Sequence, residues 1–126
     1  MTRLVLDPSA VLAYTQGKHG VVALLGEVDE VILSALALAE TRSELVYSEE
    51  LFLFDLLIYR LPTVTVTPLL PDDAVGTGRL AAMLENRLGL AHSVLEAHRH
   101  DALLLTAQAK TVRKAIGELS GVLDLD

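Results

Sequence analysis

Leu4-Val5-Leu6-Asp7-Pro8-Ser9-Ala10-Val11-Leu12-Ala13 is the stretch on which the fold reading turns. A short apolar run with a β-branched centre reads as a buried strand. Asp-Pro directly after it reads as a strand end followed by a helix start, because Asp before Pro satisfies the free N–H groups of a first helical turn. Similar runs return at Val31-Ile32-Leu33, Val64-Thr65-Val66, Leu103-Leu104-Leu105 and Val122-Leu123-Leu125. These are the expected strands, about five in all.

Helical spacing fills the intervals. Ser9 to Gln16 and His19 to Val28, separated by Gly17, predict two short helices. Ser34 to Leu61 is helical in pattern with a break near Tyr47-Ser48, where Ser48-Glu49-Glu50 resembles an N-cap and acidic first turn, and Pro62 ends the second helix. Pro71-Asp72-Asp73 opens a helix carrying Leu80, Met83, Leu84 and Leu88, with Gly89 as its expected stop, and Leu90 to His100 forms the next. Strands separated by helices imply a mostly parallel sheet covered on both faces, a three-layer α/β/α domain, whose strand order one sequence does not fix.

The chain has 126 residues, 52% of them apolar, and no Pro/Gly/Ser-rich linker or repeat divides it, so residues 1–126 are expected to form a single domain. A formal net charge of -7 excludes the broad positive field of a general nucleic-acid binder. Without cysteine there is no disulfide and no thiolate zinc site, so any metal must be held by carboxylate or imidazole. The longest apolar stretches, Val31 to Ala39 and Leu51 to Leu61, fall well short of the roughly 20 residues that span a bilayer. With no export signal at the N-terminus, the expectation is a cytoplasmic protein with no membrane partner.

In an open α/β sheet, ligands gather beyond the carboxyl ends of the strands. Asp7, after the first strand, and Glu40, two helical turns beyond the second, can face one crevice there. Each has a structural alternative: Asp7 as a helix cap, and Glu40 as a surface charge paired with Arg42.

Leu6-Asp7-Pro8-Ser9-Ala10-Val11-Leu12-Ala13, then Leu38-Ala39-Glu40, then Leu103-Leu104-Leu105-Thr106, with the closing Gly121-Val122-Leu123-Asp124-Leu125, form an ordered set over nearly the whole chain. That set resembles the PIN domain, and within it the VapC-type branch of toxin ribonucleases. The resemblance implies a cluster of acids binding Mg2+ or Mn2+ and cleaving RNA, with Asp7 and Glu40 as catalytic metal ligands supported by Ser9, Thr106 and Gln108. It also implies a homodimer and a VapB-type antitoxin. The sequence departs from the family pattern where a third acid is expected, in Arg87-Leu88-Gly89-Leu90-Ala91-His92-Ser93, and where a fourth is expected, since Gln108 follows Thr106-Ala107. His92, four residues before Glu96 and on one helix face with it, is a candidate replacement ligand that would shift metal preference away from magnesium, set against a plain helix-start or surface histidine. The competing reading is a catalytically silent PIN-like binding or regulatory module. A receiver-type domain lacks its paired acids and its Lys.

The remaining candidates are basic or apolar. Arg42, Lys110 and Arg113 could grip RNA phosphates, against the commoner use of such residues on a solvated helix face. His98, Arg99 and His100 do not converge, and their simplest use is to offset a helix dipole. Glu49 to Leu61 leaves little polar face, so either its own core or a second subunit or antitoxin must cover it.

Overall fold

In the computed structural model, which describes residues 1–60, 63–117 and 121–125, the strands β1 (Arg3–Leu6), β2 (Glu30–Ser34), β3 (Val64–Thr67), β4 (Leu103–Thr106) and β5 (Val122–Asp124) form one parallel sheet in the order β3-β2-β1-β4-β5. All expected strand segments are present. Register pairs Val5 with Ile32 on one side and with Leu104 on the other. Pro62, the expected helix terminator, lies outside the described residues.

Alternation along the strands builds two cores, because successive side chains point to opposite faces. Leu4, Leu6, Val31, Leu33 and Leu105 join one apolar cluster with α1 (Pro8–Thr15), α2 (His19–Glu27), α3 (Ala35–Leu45) and α4 (Leu51–Arg60). Val5, Ile32, Leu104 and Val122 face the other, with α5 (Pro71–Met83), α6 (Leu88–Arg99) and α7 (Ala109–Ile116). Both faces are therefore covered, which is why the strands are continuously apolar. Burying each of the large residues Leu4, Leu6, Ile32 and Leu33 contributes roughly 1.5–3 kcal/mol relative to exposure.

α4 divides its apolar side chains. Phe54 and Leu57 are buried in the first core, whereas Phe52 and Tyr59 are 72% and 74% exposed. Own-core burial thus accounts for one face of this helix only. Where it begins, Ser48 Oγ accepts from Glu50 N at 3.0 Å, one turn ahead of Leu51.

Gly89 does not end a helix, contrary to the expectation. α5 stops at Met83, and the chain turns through Glu85 and Asn86 in the left-handed region, with φ of 58° and 60°. Gly89 falls in the first turn of α6, where the lack of a side chain serves a close approach rather than a chain reversal. Among the described residues, no helix is long and apolar enough to cross a membrane.

Candidate functional site

The strand order reverses between β1 and β4: from β1 the chain proceeds to β2 and β3 on one side, and β4 and β5 lie on the other. Such a switch point leaves a crevice beyond the carboxyl ends of the two strands. Asp7 follows β1 and Thr106 ends β4, so two residues far apart in sequence become neighbours there. The Asp7 N–H extends the pairing by donating to Leu105 O at 3.3 Å.

Asp7 is buried and has two structural duties. As the N-cap of α1, with Pro8 in the first turn, its Oδ1 accepts from Ala10 N at 2.9 Å and from Ser9 Oγ at 2.6 Å. Its Oδ2 accepts from Thr106 Oγ1 at 2.7 Å. Both hydroxyls are themselves acceptors, Ser9 Oγ from Ala107 N at 2.9 Å and Thr106 Oγ1 from Gln108 N at 2.8 Å. Backbone donors thus steer each hydroxyl proton toward Asp7, which fixes the carboxylate as acceptor. The Ser9 and Ala10 backbone N–H groups and the two hydroxyls crowd donors around this carboxylate. Burial pushes the Asp7 pKa up, and these hydrogen bonds oppose it.

Glu40 reaches the same place from α3. Ser34 starts that helix by accepting from Ala37 N at 3.2 Å, which aims α3 away from the end of β2. A cavity of about 260 Å³ is lined by Asp7, Pro8, Ser9, Leu12, Glu40, Glu44, Arg87, Leu90 and Gln108. Glu40 is half-buried, and its pKa is raised by desolvation, by Glu44 and by Asp7, while the Arg87 charge pulls it down. On the α6 side, a Cβ at Gly89 would overlap Glu40 Oε2 and come within 2.7 Å of Pro8 Cγ. The glutamate therefore lies against the α6 backbone in space that any larger residue at 89 would occupy.

The structure brings Asp7, Glu40, Ser9 and Gln108 to one cavity and places Thr106 directly behind Asp7. It does not bring His92 there. That ring is fully buried: Nδ1 accepts from Leu36 N at 3.3 Å and Nε2 lies 3.1 Å from Glu96 Oε1, so both nitrogens are engaged between α3 and α6. Arg42 is hydrogen-bonded to Asp55, and Arg113 donates to Val122 O at 3.0 Å. Lys110 is exposed on α7 and does not line the cavity. Sequence reasoning missed Glu44 and Arg87 as cavity residues. Glu44 was findable, four residues beyond Glu40 and on the same helix face. Arg87 owes its position to the left-handed turn at Glu85-Asn86, which no spacing rule announces.

The donor set has the chemistry of a site for a hard divalent cation: Asp7 Oδ2, Glu40 and Glu44 offer carboxylate oxygens, and Gln108 offers an amide. Among the described residues, no group of three or more His, Asp or Glu side chains is placed to hold a metal ion together, so Asp7, Glu40 and Glu44 do not act as one ligand set. The fit is to a hydrated Mg2+ or Mn2+ held through one or two carboxylates, a mode in which the ion keeps several waters.

No family model matches this sequence, and no curated protein matches it. Solved structures do. A chain of a toxin–antitoxin complex from Klebsiella pneumoniae superposes with a TM-score of 0.69 at 16% identity, with 95% of each chain covered. VapBC2 from Rickettsia felis, bound to a DNA fragment from its promoter, gives 0.65 at 15% identity over 99% of this chain and 100% of that one. FitAcB from Neisseria gonorrhoeae gives 0.66 at 17% identity over 96% of each. At such identities the likeness shows the fold alone, a PIN-like α/β architecture shared with those chains.

Proposed function

We propose that this protein is a VapC-like toxin: an endoribonuclease dependent on Mg2+ or Mn2+, acting in the cytoplasm, dimeric, and held in check by a VapB-type antitoxin. The observation that carries the reading is the convergence of Asp7 and Glu40 on one cavity at the sheet's switch point. Asp7 Oδ2 and Glu40 would hold the ion, which when bound supplies an activated water and neutralises charge on the phosphodiester. Ser9 and Thr106 keep the Asp7 carboxylate oriented as an acceptor. Gln108, at the cavity wall, offers an amide to a phosphate oxygen or a water.

Partnership is supported by what the similar structures are, complexes of toxins with antitoxins, and by the uncovered aromatic face of α4. Phe52 and Tyr59, one on each side of Asp55 and Leu56, form an apolar groove that a partner helix could cover.

A second reading, the catalytically silent module, is favoured by Gln108 and Gly89, which add no negative charge to the cavity, and by Asp7, whose carboxylate is already engaged by Ser9, Ala10 and Thr106. The deciding experiment incubates purified protein and Asp7→Asn with single-stranded and structured RNA in Mg2+ and Mn2+. Cleavage lost on substitution supports the nuclease; equal inactivity of both proteins rejects it in favour of the module.

A further inference from the structure

We infer that Arg87 is the phosphate-binding residue of this cavity, its guanidinium gripping a non-bridging oxygen pair of a single-stranded RNA phosphodiester. The inference rests on the reading of the cavity as an RNA site and names the residue that would hold the substrate there. Three carboxylates line the cavity, and Arg87 is the sole basic side chain among its described lining residues. An anionic phosphodiester meets like charge from Asp7, Glu40 and Glu44, so a cation in the cavity lining is what admits it. A guanidinium suits that task, because its planar fork matches two phosphate oxygens at once.

The fold presents Arg87 deliberately. Two consecutive non-glycine residues, Glu85 and Asn86, adopt left-handed backbone to end α5, and the turn is closed by Asn86 N to Ala81 O at 2.7 Å and Arg87 N to Leu84 O at 3.2 Å. Arg87 is the N-cap position of α6, yet its side chain makes no capping bond. Its guanidinium pairs with Glu85, 3.1 Å away on the exposed turn, with Glu40 within electrostatic reach. An exposed pair two residues apart is weak and exchangeable, so the guanidinium can swing from Glu85 to a phosphate. The other arginines considered for RNA are held elsewhere, Arg42 by Asp55 and Arg113 by the Val122 carbonyl.

The test is fluorescence anisotropy with a labelled oligouridylate, in Ca2+, across a salt series. It compares the parent, Arg87→Ala, Arg87→Lys and, as a charge-matched control on the exposed face of α5, Arg79→Ala. Arg87→Ala is expected to weaken binding about tenfold and to flatten the dependence of log affinity on log salt by about 0.7. Arg87→Lys should keep the salt slope while losing part of the affinity, and Arg79→Ala should change neither. Binding by Arg87→Ala within twofold of the parent overturns the inference. So does weakened binding with an unchanged slope, which would mark a role exerted through Glu40, and so does a parent that binds no RNA. Cleavage assayed in parallel separates the two proposals. Arg87-dependent binding without Asp7-dependent cleavage sinks the nuclease alone, whereas Asp7-dependent cleavage with an unaltered KM in Arg87→Ala sinks the role of Arg87 alone.

Discussion

The Thr106 hydroxyl donates to Asp7 Oδ2 at 2.7 Å, joining residues 99 apart in sequence across the switch point of the sheet. Both groups are buried, so the bond has no water to replace it. Thr106→Val keeps the shape and removes the donor, leaving Asp7 Oδ2 and Gln108 N each short of a partner. Urea unfolding at neutral pH should show a loss of about 1–3 kcal/mol, and Thr106→Ser should recover most of it. Equal stability of the valine variant and the parent would mean that the hydroxyl is not what holds this carboxylate.

Burial raises Asp7 above its ordinary value of 3.8 and Glu40 above its ordinary value of 4.5. A carboxyl group that keeps its proton to higher pH when folded than when unfolded makes stability fall as pH rises from the ordinary value through the raised one. Asp7→Asn removes the Asp7 share of that fall. Its melting temperature relative to the parent should therefore climb between about pH 4 and neutrality, by roughly 2–6 °C for each 1 kcal/mol relieved. The difference between variant and parent is the readout, because Asp73, held low by Arg99, contributes with the opposite sign in both proteins. Mn2+ competes with the same protons, so its stabilising effect on the parent should be larger at pH 7.5 than at pH 5 and should vanish in Asp7→Asn. A melting temperature indifferent to millimolar Mn2+ at both pH values would remove the cation from the site.

His92 and Glu96 form a fully buried pair one turn apart on α6, with Arg99 3.4 Å from Glu96 Oε1 and His100 3.2 Å from Glu96 Oε2. Removing the ring leaves Glu96 its contacts with Arg99 and His100 but strips Leu36 N and Glu96 Oε1 of a buried partner. His92→Ala should cost about 1–3 kcal/mol, and the milder His92→Asn less. Neither should alter the Mn2+-induced rise in melting temperature measured on the folded fraction. A variant that keeps its stability but loses the Mn2+ response would instead make His92 a ligand.

The strands and most helices were legible because their apolar runs and caps are local: Leu4-Val5-Leu6 followed by Asp7-Pro8 carries its own strand end and helix start. Strand order was not legible, since it is set by how the crossovers pack rather than by any one segment. At the site, Asp7 could be read as a cap or as a cavity acid, and it is both in place. His92 was legible only as a residue on a helix face. Whether that face looks toward the cavity or toward Leu36 depends on the rotation of α6, which is fixed by Gly89 and Ser93 packing against α3. Gly89 itself was read as a helix stop, because glycine carries the same letter for a chain reversal and for a close contact.

That contact gives Gly89→Ala an expected sign opposite to the usual one. Glycine to alanine inside a helix ordinarily stabilises by about 0.5–1 kcal/mol. Here the new Cβ overlaps Glu40 Oε2 and sits 2.7 Å from Pro8 Cγ, so the glutamate must swing away and the ring at the start of α1 must shift. Overpacking of this kind costs about 1–3 kcal/mol, which outweighs the propensity gain. Displacing Glu40 should also weaken Mn2+ binding more than the stability loss alone explains, as read by titration calorimetry on folded protein. Gly89→Asp, which adds a fourth carboxylate to the cavity, should fail for the same reason: its stem needs the volume that Glu40 fills. An aspartate variant that bound Mn2+ more tightly than the parent would show that Glu40 has another resting place, and the packing argument for Gly89 would fall.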